Sequence, residues 1–271
     1  MLPQIILFIS GGAILALELL ASRIMTPYFG VSLFIWSGIL SITLVSLALG
    51  YWWGGRLAAG RHGQALSAEK LATLFALMPA VAAIAIVAAC LVYPYLFQPL
   101  ARFDLVAGAF IACIALLFVP LFATSAMNPL LVALLLKQSA AKGAAADGGA
   151  GRVFFVSTIG SVAGVVVTAF GMIPYLSNFV STLIVAVVLA ALPLAMILRS
   201  QAVILSGLLY LTVTGLLIAL LIVKSLKAVM KSGHAIKPIL LLAILMLIQY
   251  RLYLSFGGRI PSIIGGTLAV V

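Results

Sequence analysis

Acidic side chains are almost missing from this sequence: Glu18, Glu69, Asp104 and Asp147 are the only four in 271 residues. Charge of either sign is scarce, at 7% of residues, against about 25% in soluble globular domains. That shortage excludes a soluble catalytic domain of any size. The two cysteines, Cys90 and Cys113, both fall inside apolar runs without metal-ligand spacing, so neither a disulfide framework nor a zinc site is indicated. The two histidines, His62 and His234, lie in basic gaps with no third ligand near. No nucleophile elbow, zincin helix or phosphate loop occurs, so no catalytic residue, metal or cofactor is expected. The first apolar run also lacks a basic leading segment and a clear cleavage site, and it reads as a retained helix.

What is present is apolar. Hydrophobic residues make up 66% of the chain, more surface than a soluble core can hide, so lipid must be the solvent for most of it. A membrane-spanning helix needs about 20 predominantly apolar residues. Runs that qualify cover 3–22, 33–55, 72–94, 105–125, 153–174, 179–198, 203–223 and 238–256. The expected fold is therefore an all-α polytopic transmembrane bundle of about eight spans. A further apolar piece, 127–136, follows Met127-Asn128-Pro129. It is too short to cross alone, and either extends the fourth span beyond a proline kink or lies at the interface.

Fifteen Lys and Arg stand against the four acids, for a net charge of +11. They cluster in the gaps between runs and show none of the aromatic-basic interleaving of nucleic-acid binders. Topology signalling and contact with anionic headgroups account for them. Gap 56–70 carries Arg56, Arg61 and Lys70; gap 137–152 carries Lys137, Lys142 and Arg152. Both fit the cytoplasmic side, which places the N-terminus inside. The opposite gaps, 23–32, 95–104 and 175–178, hold only Arg23 and Arg102. The alternation breaks at 224–237, where Lys224, Lys227, Lys231 and Lys237 fall on the outer side. Three explanations stand: a surface amphipathic helix, a preceding run that does not cross, or a separately inserted unit after about residue 200. The chain accordingly divides into a six-helix module, 1–200, and a C-terminal pair with a short apolar tail, 201–271.

Residues 18–61 contain Glu18, Arg23, the turn Pro27-Tyr28-Phe29-Gly30, and Gly50-Tyr51-Trp52-Trp53-Gly54-Gly55-Arg56-Leu57-Ala58. Residues 151–175 contain Ser157, Thr158, Gly160, Ser161 and Gly164 in one helix-like run. These two stretches resemble the transmembrane part of the bacterial fused major-facilitator/spermidine-synthase-like proteins over residues 1–200. The resemblance implies a bacterial inner-membrane protein whose first six helices are similar to half of a major-facilitator unit. It also implies a following aminopropyltransferase-like domain, with a glycine-rich loop and acidic polyamine ligands. Here the sole approach to such a loop is Asp147-Gly148-Gly149-Ala150-Gly151, which reads as linker. The stretch around Arg56 and Arg61 also resembles the loop between helices two and three of major-facilitator transporters, with Ala59 where an acidic residue is usual.

Glu18 is the leading candidate, being the only acid deep in an apolar run. A charge at the centre of a membrane helix costs about 2.5–3.5 kcal/mol on insertion scales, so it is expected to face protein or water. Two readings compete: a proton- or cation-coupled site, and a structural or protonated carboxyl. Gly11 and Ser22 share its helical stripe, while Arg23 lies about 140° away and reads as snorkelling to the interface. The candidate polar site is Glu18, Ser22, Arg23, Asn128, Ser157, Thr158 and Ser161. Gly160, Gly164, Gly171, Gly50 and Gly54 are expected to serve helix packing. Arg56, Arg61 and Arg152 form the basic cytoplasmic face. The function expected is a transport-related or substrate-channelling module for a small cationic or amphipathic solute, with a polar cavity between spans one, two, four and five. The alternative is a non-transporting anchor or accessory subunit that docks a soluble enzyme. The partners considered are the lipid bilayer, a second copy and a soluble cytoplasmic protein.

Overall fold

The computed structural model describes residues 2–60, 66–140 and 149–197. Arg61, the centre of the second basic gap and everything expected beyond residue 197, including the last two spans and the division at 200/201, lie outside the described residues. Among the described residues every element is a helix and no strand occurs. Hydrocarbon offers no partner for backbone N–H and C=O groups, so a spanning segment must satisfy them within itself.

Helix α1 covers Leu2–Phe29, α2 Leu33–Ala59 and α3 Ala68–Phe103. Helix α4, Leu105–Cys113, passes through a π-helical turn, Ile114–Phe118, into α5, Val119–Ala140. Helix α6, Gly149–Val166, ends in a second π-helical stretch, Val167–Met172, and α7 covers Asn178–Ile197. Among the described residues five helical stretches are long and apolar enough to cross a membrane: Leu2–Phe29, Leu33–Ala59, Ala68–Phe103, Leu105–Ser139 and Gly149–Met172. The chain is a multi-pass helical membrane protein. Its outward surface agrees: Leu44, Val45, Phe155, Val162 and Phe170 are all exposed, which water would penalise and lipid does not.

The helices are longer than their apolar runs, and this corrects several expected boundaries. Residues 23–29 and 95–103 are helical rather than loop. Proline explains the difference. Pro27 lies inside α1 and withholds the N–H that would meet the Arg23 carbonyl four residues back. The side-chain amide of Asn178 on α7 donates to that carbonyl instead, at 3.4 Å, so the helix continues. It ends at Gly30, whose φ of +77° suits a residue without Cβ. Pro129 likewise sits within α5. The 127–136 piece therefore extends the fourth span, and Asn128-Pro129 marks no chain break. The π-helical turn at 114–118 ends two residues before Pro120, a setting where the regular ladder is commonly interrupted.

Side-chain caps start α2, α3 and α4. The Ser32 hydroxyl accepts from Ile35 N at 3.4 Å, Ser67 from Lys70 N at 3.3 Å, and the Asp104 carboxylate from Ala107 N at 2.7 Å. One acid of the four is thus spent on a helix start.

Two pairings organise the bundle. Helix α1 packs along α6, and α2 packs along α5. At the first seam Gly12 faces Gly160 and Gly164, and Gly160 faces the Phe8 backbone. At the second, Gly50 faces Phe122 and Ser125, and Gly54 faces Ala126 and Pro129. In both pairs the contact numbers rise together, so each pair runs parallel. Helix α3 lies against α5 and α7.

Candidate functional site

Glu18 occupies the middle part of α1 and is half-buried. Its neighbours Leu17, Leu20, Ala21 and Ile24 line a small apolar cavity shared with Ile86, Leu116 and Leu117. The carboxyl itself turns to α2, where the Thr43 hydroxyl faces it. No bond of full hydrogen-bond geometry closes between them: Glu18 Oε1 and Thr43 Oγ1 are both buried atoms without a partner. An orphaned buried oxygen costs about 1–3 kcal/mol, so this pair is an expense that close packing alone would not retain.

Below Thr43, the buried side of α2 continues with Ser46, Gly50 and Gly54, spaced at one helical turn each. Ser46 donates to Ile42 O at 2.6 Å. Across the seam Ser125 donates to Phe122 O at 3.0 Å and approaches Ser46 O at 3.4 Å. One turn on, Asn128 Nδ2 donates to Tyr51 Oη at 3.4 Å, while Asn128 Oδ1 is buried without a partner. The Tyr51 ring meets Phe154 of α6 edge-on, centroids 5.9 Å apart. These residues run along one interface, from the centre of the bundle toward the end that carries Arg56, Lys70 and Arg152.

The expected site residues separate in space. Asn128 belongs to the α2–α5 seam. Ser157 and Ser161 belong to the α1–α6 seam, where Ser161 Oγ donates to Gly11 O at 2.9 Å. Gly11 faces Ser157 and so sits with α6 rather than with the carboxyl. Ser22 turns back on its own helix, donating to Leu19 O at 2.8 Å. Thr158 is exposed and donates to Phe154 O at 2.9 Å, outside both seams. Arg23 is exposed near the opposite end from Arg56 and does not join Glu18. Of the expected packing glycines, Gly160, Gly164, Gly50 and Gly54 all sit where a Cβ would strike backbone or side chain. Gly171 meets nothing within 4 Å, because it lies on the exposed side of the π-helical stretch. Arg56 and Arg152 are exposed, and Arg56 stacks over the Trp52 ring at 5.3 Å.

Thr43, Ser46 and Ser125 escaped the sequence reading. The signal was available: Thr43, Ser46, Gly50 and Gly54 repeat at helical spacing inside an apolar run, the same pattern that singled out α6. Both cysteines are buried thiols, as expected of small apolar side chains, with Cys113 Sγ 3.6 Å from Met25 Sδ. Among the described residues no group of three or more His, Cys, Asp or Glu is placed to hold a metal ion.

No known protein family, characterised protein or solved structure matches the chain.

Proposed function

We propose that this chain is a transport-related or substrate-channelling membrane module for a small cationic solute, with Glu18 as the coupling carboxyl. The observation that carries the reading is the orphaned pair, Glu18 Oε1 and Thr43 Oγ1, held deep between apolar helices. A structural carboxyl would be satisfied by its surroundings; one that exchanges a proton or a cation needs a free oxygen. The parallel pairs α1–α6 and α2–α5 support a six-helix unit similar to half of a major-facilitator protein. Within it, Glu18 of span one faces Thr43 of span two. We place the chain in a bacterial inner membrane with the Arg56 and Arg152 end in the cytoplasm, on the positive-inside rule. Eight crossings remain our reading of the whole sequence.

The test is a solid-supported-membrane current. Purified chain in liposomes, challenged with concentration jumps of spermidine, putrescine and simple amines, is expected to give a transient current that Glu18→Gln removes. An equal current from Glu18→Gln overturns the role of the carboxyl, and a silent wild type overturns cation transport. A second reading is favoured by the exposed basic end formed by Arg56, Lys70 and Arg152: an anchor that docks a soluble aminopropyltransferase-like enzyme. Co-purification of such an enzyme in mild detergent, unaffected by Glu18→Gln and lost on reversing Arg56 and Arg152 to Glu, would select it.

A further inference from the structure

We infer that the seam between α2 and α5 is the route by which Glu18 exchanges its proton with the basic end of the bundle. This rests on Glu18 being the coupling carboxyl and adds the path, the side of access and the residues that make it. Thr43 is 5% exposed, Ser46 and Ser125 are 0%, and Asn128 is 2%. Polar side chains buried to that degree in a membrane helix normally close their bonds across or back to the backbone. Ser46 and Ser125 do so. Thr43 Oγ1 and Asn128 Oδ1 do not, and they stand at the two ends of the row. Thr43 faces Glu18; Asn128 holds Tyr51, whose ring is partly exposed beside Phe154. Eight residues of α2 separate the two ends, about 12 Å of helix rise, which spans the distance from the core to the interfacial aromatic level.

The chemistry is a relay without redox change. The Glu18 carboxyl gives its proton to Thr43 Oγ1 as that hydroxyl releases its own. The proton moves on when α2 and α5 part far enough to admit water between Ser46 and Ser125, and a water accepted at Asn128 Oδ1 delivers it to the basic end. Reprotonation runs the same path in reverse. Asn128 is a positioning residue: its amide orients the water and does not itself take up a proton.

The path predicts the exchange rate of one carboxyl. In reconstituted membranes, infrared difference spectroscopy assigns the Glu18 carboxyl band by its loss in Glu18→Gln, and transfer into heavy water times its shift. Thr43→Val, which keeps the shape and removes the hydroxyl, is expected to slow the shift about tenfold, the rate equivalent of one hydrogen bond. Thr43→Ser restores it. Asn128→Leu slows it similarly, and Ser181→Ala, an unpartnered hydroxyl on α7 away from the seam, leaves it unchanged. Restoration by Thr43→Ser separates the relay from a folding defect. Exchange as fast in Thr43→Val and Asn128→Leu as in wild type overturns the route while leaving Glu18 as the coupling group. Absence of any exchanging Glu18 band in the wild type overturns the route as well. Loss of the amine-driven current in Glu18→Gln is scored independently, so the two readings fail separately.

Discussion

Replacing Gly160 by alanine adds one methyl group where two helix backbones meet closely. The added carbon would lie 2.7 Å from the Phe8 carbonyl carbon and 2.8 Å from its Cα, whereas unstrained carbon contacts sit at about 3.5–4.0 Å. Backbone cannot swing aside as a flexible side chain can, so α1 and α6 must part by about 1 Å. That displacement stretches the 2.9 Å bond from Ser161 Oγ to Gly11 O past useful length. Overpacking costs about 1–3 kcal/mol, and an interhelical bond in a membrane adds about 0.6 kcal/mol. Against this, alanine gains about 0.8–1 kcal/mol of helix propensity over glycine. The net expectation is a loss of about 1–3 kcal/mol. Titration with a denaturing detergent, followed by circular dichroism, measures it against Gly171→Ala, where the new methyl meets nothing within 4 Å. Equal stability of the two variants would refute the close-approach reasoning.

Two more perturbations follow from named contacts. Asn178→Leu removes the donor to the Arg23 carbonyl that Pro27 leaves without its helical partner; a loss of about 1 kcal/mol is expected in the same titration, and removing Pro27 in the same chain should shrink it. Cys90 and Cys113 are 3% and 0% exposed, so a membrane-impermeant maleimide should leave the wild type unlabelled. Arg56→Cys and Arg102→Cys should then label from opposite sides of sealed vesicles, and labelling from one side would break the assigned topology.

Hydropathy made the helices legible and misplaced their ends. The reason is local: Pro27, Pro94 and Pro99 sit where apolar runs stop, and a proline in sequence reads as a terminus. In the bundle, α1 and α3 continue through those positions. For Pro27 the compensation comes from Asn178, 151 residues away, and no window along the chain contains both. The small residues of α6 were legible as a packing surface because Gly160, Ser161 and Gly164 recur at helical spacing. Their partner was not, since Phe8, Gly11 and Gly12 contribute backbone rather than a side-chain pattern. Gly171 shared the spacing but not the contact, because the π-helical stretch 167–172 changes the residues per turn and shifts the register.

Glu18 shows why a stripe is not a site. Gly11 and Glu18 are seven residues apart and share one side of an ideal helix, yet Gly11 meets α6 and Glu18 meets α2. A helix that meets two partners along one stripe crosses the boundary between them. Helix α1 is held to α6 by close backbone contact of Phe8, Gly11 and Gly12 with Ser157, Gly160 and Gly164, and it meets α2 with a carboxyl and a hydroxyl that do not complete a bond. Interlocked backbones resist separation; two unsatisfied oxygens favour anything that supplies their missing partners, whether a proton carrier or a cation. Of these two contacts of α1, the weaker is therefore the one that carries the chemistry, and the α1–α6 seam serves as the fixed side against which a change at Glu18 and Thr43 would act.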